Sequence, residues 1–166
     1  MTLAEAAAQA DALAVAGDAH GLATMRTQWD DELESAARSS DFRERQVAFR
    51  AISLFRYRQK MELLRRGLDD ESPACRGAAL ISFEALARDH PSVVNGVRPA
   101  LHEIVANDGN DAVRRLAVMT LRHGSPQRDT ITILAALGDD EEQGRELREA
   151  ATNIAQALRR KAGPSK

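Results

Sequence analysis

Asp70-Glu71-Ser72-Pro73-Ala74-Cys75-Arg76-Gly77-Ala78-Ala79-Leu80 returns, with variation, as Asp108-Gly109-Asn110-Asp111-Ala112-Val113-Arg114-Arg115-Leu116-Ala117-Val118. Both copies hold an Asp-containing turn, a small apolar anchor, an Arg directly after it and an Ala four residues after it. Both continue to a large apolar residue eight positions past the anchor, Phe83 and Leu121. Each follows a short amphipathic stretch, Met61, Leu63, Leu64 and Leu68 in one case and Leu101, Ile104 and Val105 in the other. A third copy closes the chain, with Asp139-Asp140-Glu141-Glu142 as its turn and Leu147-Arg148, Ala151, Ile154 and Leu158 behind it. A weaker copy lies upstream at Val47, Ala51 and Phe55, where Ala48 replaces the Arg. The anchors Val47, Cys75, Val113 and Leu147 stand 28, 38 and 34 residues apart, a period of helical hairpins.

The spacing of apolar residues elsewhere also predicts helices. Thr2-Leu3-Ala4-Glu5 has the spacing of a capping box and opens a helix that ends at Gly17. Leu22, Met25, Trp29, Leu33 and Ala36 form one stripe of a second helix over 20–37. Asp41 and Glu44 repeat the capping-box spacing. Ser125-Pro126 predicts the start of a helix that carries Ile131-Thr132-Ile133, the one short β-branched run, and stops at Gly138. No apolar run nears the ~20 residues of a spanning helix. The opening Met1-Thr2-Leu3-Ala4-Glu5 lacks a basic leader segment, so the expected location is cytoplasmic.

These turn and anchor residues resemble the HEAT repeat, the helical hairpin shared with armadillo-like solenoids and small bacterial HEAT-like proteins. The matching positions are Asp70 and Asp108, the pairs Cys75-Arg76, Val113-Arg114 and Leu147-Arg148, and Ala79, Ala117 and Ala151. The resemblance implies an all-α, right-handed α-solenoid of about four hairpins, with an irregular helical bundle as the rival. It implies a single domain over 1–166: capping helices in 1–40, repeats in 41–162 and a tail at 163–166. It also implies scaffold, adaptor or inhibitor roles, and an Asp/Arg ladder used structurally. A hairpin cannot cover its own apolar face, so small residues recur where hairpins stack. Thirty Ala in the chain, with Ala51, Ala79, Ala117 and Ala151 in register, suit that need.

Catalytic chemistry finds no foothold. His20, His90, His102 and His123 lie near predicted helix ends or on polar faces, none at metal-ligand spacing from another His or a Cys. Cys75 takes an anchor position and is expected to be a buried small hydrophobe. The acidic clusters Asp69-Asp70-Glu71 and Asp139-Asp140-Glu141-Glu142 open predicted helices, where carboxylates cap exposed amides. No phosphate loop or nucleophile motif is present. The expectation is a non-enzymatic protein with no cofactor and no metal.

Charge is the feature beyond architecture. Residues 1–41 carry eight acids and two Arg, and residues 42–66 carry eight bases and two acids, so net charges of −6 and +6 adjoin. The basic block invites three accounts: neutralisation by the acidic helices beside it, an acidic protein partner, or nucleic acid bound through Arg43, Arg45, Arg50, Arg56 and Arg58 with Phe55 and Tyr57 between. A pI near 6.1 speaks against the last. Placing anchors and the residues 4, 8 and 11 positions on inward leaves Phe49, Ile81 and Met119 as outward apolar groups, with Arg56, Glu84, Arg115 and Arg122 as a charged rim. The chain is therefore expected to be a protein-binding scaffold that uses this face. The rivals are a nucleic-acid binder, similar to the alkylation-repair glycosylases built from such repeats, and an accessory subunit of an enzyme complex resembling the phycobilisome lyases. No membrane partner is expected.

Overall fold

The structure is a computed structural model and describes residues 1–164. Among those residues every regular element is helical and no strand occurs, so the chain is all-α. Of the expected tail at 163–166, the last two residues lie outside the described ones. The helices are α1 (Leu3–Val15), α2 (Ala19–Ala37), α3 (Phe42–Leu54), α4 (Met61–Gly67), α5 (Pro73–Asp89), α6 (Ser92–Asn95), α7 (Arg98–Asn107), α8 (Asp111–Leu121), α9 (Arg128–Asp139) and α10 (Arg145–Ala162), with a 3-10 turn at Arg58–Lys60. None of them is long and apolar enough to cross a membrane. The chain divides inside α5 into two compact units, Met1–Leu86 and Ala87–Lys166.

In the first unit α1, α2 and α3 pack against one another. The capping box at the start of α1 forms: the Glu5 amide donates to Thr2 Oγ1 at 3.2 Å and the Thr2 amide to Glu5 Oε2 at 2.8 Å. The helix closes on left-handed Gly17 (φ 76°), with the Asp18 amide bonded to Leu13 O and the Gly17 amide to Ala14 O. At Asp41 the box does not form, because the Asp41 carboxylate takes the amide two residues on, that of Arg43. Of the predicted stripe Leu22, Met25, Trp29 and Leu33 are buried, while Ala36 is half-buried and the neighbouring Ala37 is buried.

Burial follows the repeat pattern closely in α5, α8 and α10. Cys75, Ala79, Phe83 and Leu86 are buried, as are Val113, Ala117 and Leu121, and Leu147, Ala151 and Leu158. Ala51, Ala79, Ala117 and Ala151 have no exposed surface at all, as close helix approach requires. Helix α3 departs from the pattern. Val47 is half-buried while Ala48, Phe49, Ile52 and Ser53 are buried, because α3 is covered on a second side as well. There Gly67 of α4 lies so near the Phe49 ring that an added Cβ would stand 3.1 Å from it, and Ser82 Oγ of α5 donates to Phe49 O. Phe49 is thus a core residue, which corrects its expected outward placement.

In the second unit α7 packs on α8, and α10 packs on both α8 and α9. Helix α9 starts two residues later than its Ser125-Pro126 signal and runs through Gly138 instead of stopping there. Gly138 serves close approach: a Cβ on it would collide with the Thr152 hydroxyl of α10 and stand 3.3 Å from the Thr152 nitrogen. Helix propensity alone favours Ala over Gly by about 1 kcal/mol. The collision outweighs that, so Gly138→Ala should lower unfolding free energy by about 1–3 kcal/mol in urea titrations. A gain in stability would show that α9 and α10 do not approach so closely.

Candidate functional site

The acidic clusters resolve into turn chemistry. Asp70, Asp108 and Asp140 each accept, through Oδ1, the amide two residues on, from Ser72, Asn110 and Glu142 at 2.9, 2.9 and 3.1 Å. The Arg after each anchor then binds carbonyl oxygens at or just past the end of the preceding helix. Arg76 Nη1 donates to Asp70 O at 2.9 Å, Arg114 Nε to Val105 O at 2.9 Å and Arg148 Nε to Gly138 O at 3.2 Å. Arg114 also reaches Gln143 Oε1 at 2.8 Å, and Gln143 Nε2 donates to Asp140, so two successive turns are stitched together. Burial opposes ionisation of Asp70, but the two-pronged Arg45 contact and the Ser72 amide outweigh it and hold the carboxyl below its ordinary value. These carboxylates are capped and paired as helix-turn groups, and no cluster of three or more His, Cys, Asp or Glu suited to a metal forms among the described residues.

Four of the eight bases in 42–66, Arg45, Arg56, Lys60 and Arg65, pair with acids within the first unit. Arg45 pairs with Asp70 at 2.9 Å and also caps Ser39 O and Ser40 O. Lys60 contacts both Asp30 and Glu34, at 2.8 and 2.6 Å, and its hydrogen bonds hold both carboxyls below their usual range. Tyr57 donates to Asp30 and lies under the Arg26 and Lys60 cations, so its ring serves an internal cluster. Arg26 in turn donates to Phe55 O and Arg56 O at the end of α3. Phe55 is fully buried. Arg56 adopts φ 51°, bonds Ser53 O and Leu54 O, and pairs with Asp11 at 2.8 Å. Arg43, Arg50, Arg58 and Arg66 remain without an acidic partner among the described residues. Arg43 and Arg50 flank a shallow groove of about 360 Å³ floored by Ala4, Ala7, Val47, Ala51 and Leu54.

The expected binding face is realised unevenly. Ile81 is 38% exposed on α5, and Glu84 nearby is half-buried. Leu80 and Val118, adjacent to the outward row, are fully buried. In the second unit Arg115 and Met119 come together in an open groove of about 570 Å³ between α8 and the first turn of α10. Leu116, Met119 and Leu147 give it an apolar floor, and Asp111, Arg115, Arg145 and Glu146 edge it. Arg122 stands outside that lining, half-buried at the end of α8 with Nε 3.1 Å from His123 Nε2. The α10 wall was not foreseen: the row rule treats each helix alone, whereas the groove needs the α9–α10 turn to bring Gly144 and Arg145 to α8.

Cys75 is buried, its thiol donates to Phe42 O at 3.2 Å, and burial pushes its pKa up, all of which suit an inert core group. Sequence reasoning also passed over Arg98. It is 5% exposed, its Nη1 donates to Thr130 Oγ1 at 2.8 Å, and Thr130 Oγ1 lies 2.8 Å from His102 Nε2. Burial, and then the Arg98 charge, lower the His102 pKa. A lone Arg between Val97 and Pro99 was the only signal. No family model, no curated protein and no solved structure matches this chain.

The Arg56 geometry carries a direct test. Its backbone conformation costs a residue with Cβ about 1–2 kcal/mol that glycine avoids. Arg56→Gly and Arg56→Ala both lose the guanidinium contacts, so the glycine variant should be the more stable by about 1 kcal/mol in equilibrium denaturation. An alanine variant of equal or greater stability would contradict the left-handed turn.

Proposed function

We propose that the chain is a HEAT-like α-solenoid of short helical hairpins that works as a non-enzymatic, cytoplasmic protein-binding module. The groove between α8 and α10 carries this proposal. It joins two residues expected on the binding face, Arg115 and Met119, to an apolar floor, and leaves charged groups of both signs at its edge. An apolar centre inside a charged rim is the composition of a protein interface. The recurrence of one turn device, an Asp closing its own turn and an Arg binding a carbonyl of that turn or of the helix before it, supports the repeat assignment. Acids of α1 and α2 take up Arg56 and Lys60, and Asp70 of the α4–α5 turn takes up Arg45, which favours a protein partner over nucleic acid.

The test is capture from the native host by tagged full-length protein, with Arg115→Glu and Met119→Glu combined. Reversing one rim charge and placing a carboxylate on the apolar floor should abolish capture of the specific partner while leaving helicity by circular dichroism unchanged. Undiminished capture by the folded double variant would remove the groove from the interface.

A further inference from the structure

Beyond protein binding, and independent of it, the second unit holds an arrangement of donors that no turn or cap requires. The geometry points to a binding site for a phosphate-type oxyanion, inorganic phosphate or a phosphate monoester, at the place now filled by the Asn95 carboxamide oxygen. Three donors converge on that one oxygen: Arg98 Nη2, the Ser125 amide at 3.1 Å and the Ser125 hydroxyl at 3.1 Å. A carboxamide oxygen has two lone pairs, so three donors, one of them cationic, exceed what it can satisfy well. An anionic oxygen suits such a nest far better.

The surroundings point the same way. Arg98 is 5% exposed and has no carboxylate partner among the described residues, and its Nε has no hydrogen-bond partner. A buried, uncompensated guanidinium is costly unless an anion joins it. Arg98 Nη1 binds Thr130 in the first turn of α9, a helix of twelve residues whose N-cap, Gln127, supplies no side-chain bond. That first turn therefore presents amides and the positive end of the helix dipole beside the guanidinium. Ser125 is the residue whose sequence signal marked it as the N-cap of α9, yet both its donors turn to Asn95 instead. Lys161 Nζ adds a further cation, donating at 2.9 Å to the carbonyl of Gly124, the residue before Ser125. Gly124 leaves the space: a Cβ there would stand 2.8 Å from Arg98 Nη2 and 3.3 Å from Asn95 Oδ1. Asp129, exposed in the same turn, exerts an electrostatic pull on His102 that opposes the lowering by burial and Arg98. Asn95 and Ser125 are both exposed, so rotation of the Asn95 side chain opens the nest to solvent without any movement of a helix.

The test uses the full chain, with amide chemical shifts followed during titration with inorganic phosphate at constant ionic strength, and in parallel with a phosphoserine peptide. Saturable shifts at Ser125 and Arg128 are expected. Equal or tighter binding of inorganic phosphate identifies a free-phosphate site, and tighter binding of the peptide identifies a site for protein-borne phosphate. Asn95→Ala removes the internal competitor and should tighten binding about tenfold, the worth of one displaced hydrogen bond. Asn95→Asp places a carboxylate in the nest, so it should abolish binding and raise the melting temperature by about 2–4 °C. Shifts in the wild-type protein that grow linearly without saturating, an unchanged affinity in Asn95→Ala, or an Asn95→Asp protein that melts below wild type would each overturn the site.

Discussion

A helix that ends inside a packed chain leaves its last carbonyl groups without partners, and water cannot reach them all. In this protein a guanidinium from the next long helix repeatedly supplies the missing donor. Arg114 does so from a nearly buried position, binding Val105 O while its other nitrogen reaches Gln143 in the following turn. Arg148 makes the corresponding bond to Gly138 O, whereas Arg76 binds Asp70 O in the turn that leads into its own helix. The Arg114 and Arg148 bonds tie the end of one helix to the start of a later one. Ala79, Ala117 and Ala151 have zero exposure, as small side chains do where helices approach closely. The turn aspartates complete the device by closing their own loops and, at Asp70, by holding Arg45 in an ion pair.

The surface that remains follows from the same constraint. Where turns and helix ends are tied internally, part of the charge that looks available in the sequence is already engaged. Arg45, Arg56 and Lys60 each meet acids from other segments of the first unit, and Tyr57 belongs to the Lys60 cluster. Arg56 accepts a left-handed backbone while its guanidinium binds two carbonyls of α3 and Asp11, the position where α1 uses Gly17. In the second unit the open groove exists because the α9–α10 turn sets the first turn of α10 alongside α8, with Gly144 at the junction. The buried Arg98 is a cation tied to hydroxyl and amide groups, with no carboxylate partner among the described residues.

Much of the architecture was legible because period and cap chemistry are local. The stripe from Leu22 to Leu33, the capping box at Thr2, the stop at Gly17 and the inward rows of α5, α8 and α10 depend on one helix at a time. What failed depended on neighbours. Phe49 turned inward because Gly67 and Ser82 cover a second side of α3, which a single-helix projection cannot register. Gly138 has the sequence context of a stop but serves contact with Thr152, and Ser125 has the context of a cap but serves Asn95. Of the candidate binding residues, Arg115 and Met119 meet in one groove because they are four apart on α8, a local relation. Arg98 gave no periodic signal, since its partners Asn95 and Thr130 lie 3 and 32 residues away, at the end of α6 and the start of α9.

The dependence of the fold on the arginine-to-carbonyl bond is open to one direct measurement. Arg114→Met keeps the length and packing of the side chain while removing its donors, which leaves Val105 O buried and unsatisfied. Equilibrium urea denaturation should then show a loss of about 1–3 kcal/mol with an unchanged slope. A variant as stable as the wild-type protein would contradict the account, since the turn would hold its helices without the guanidinium.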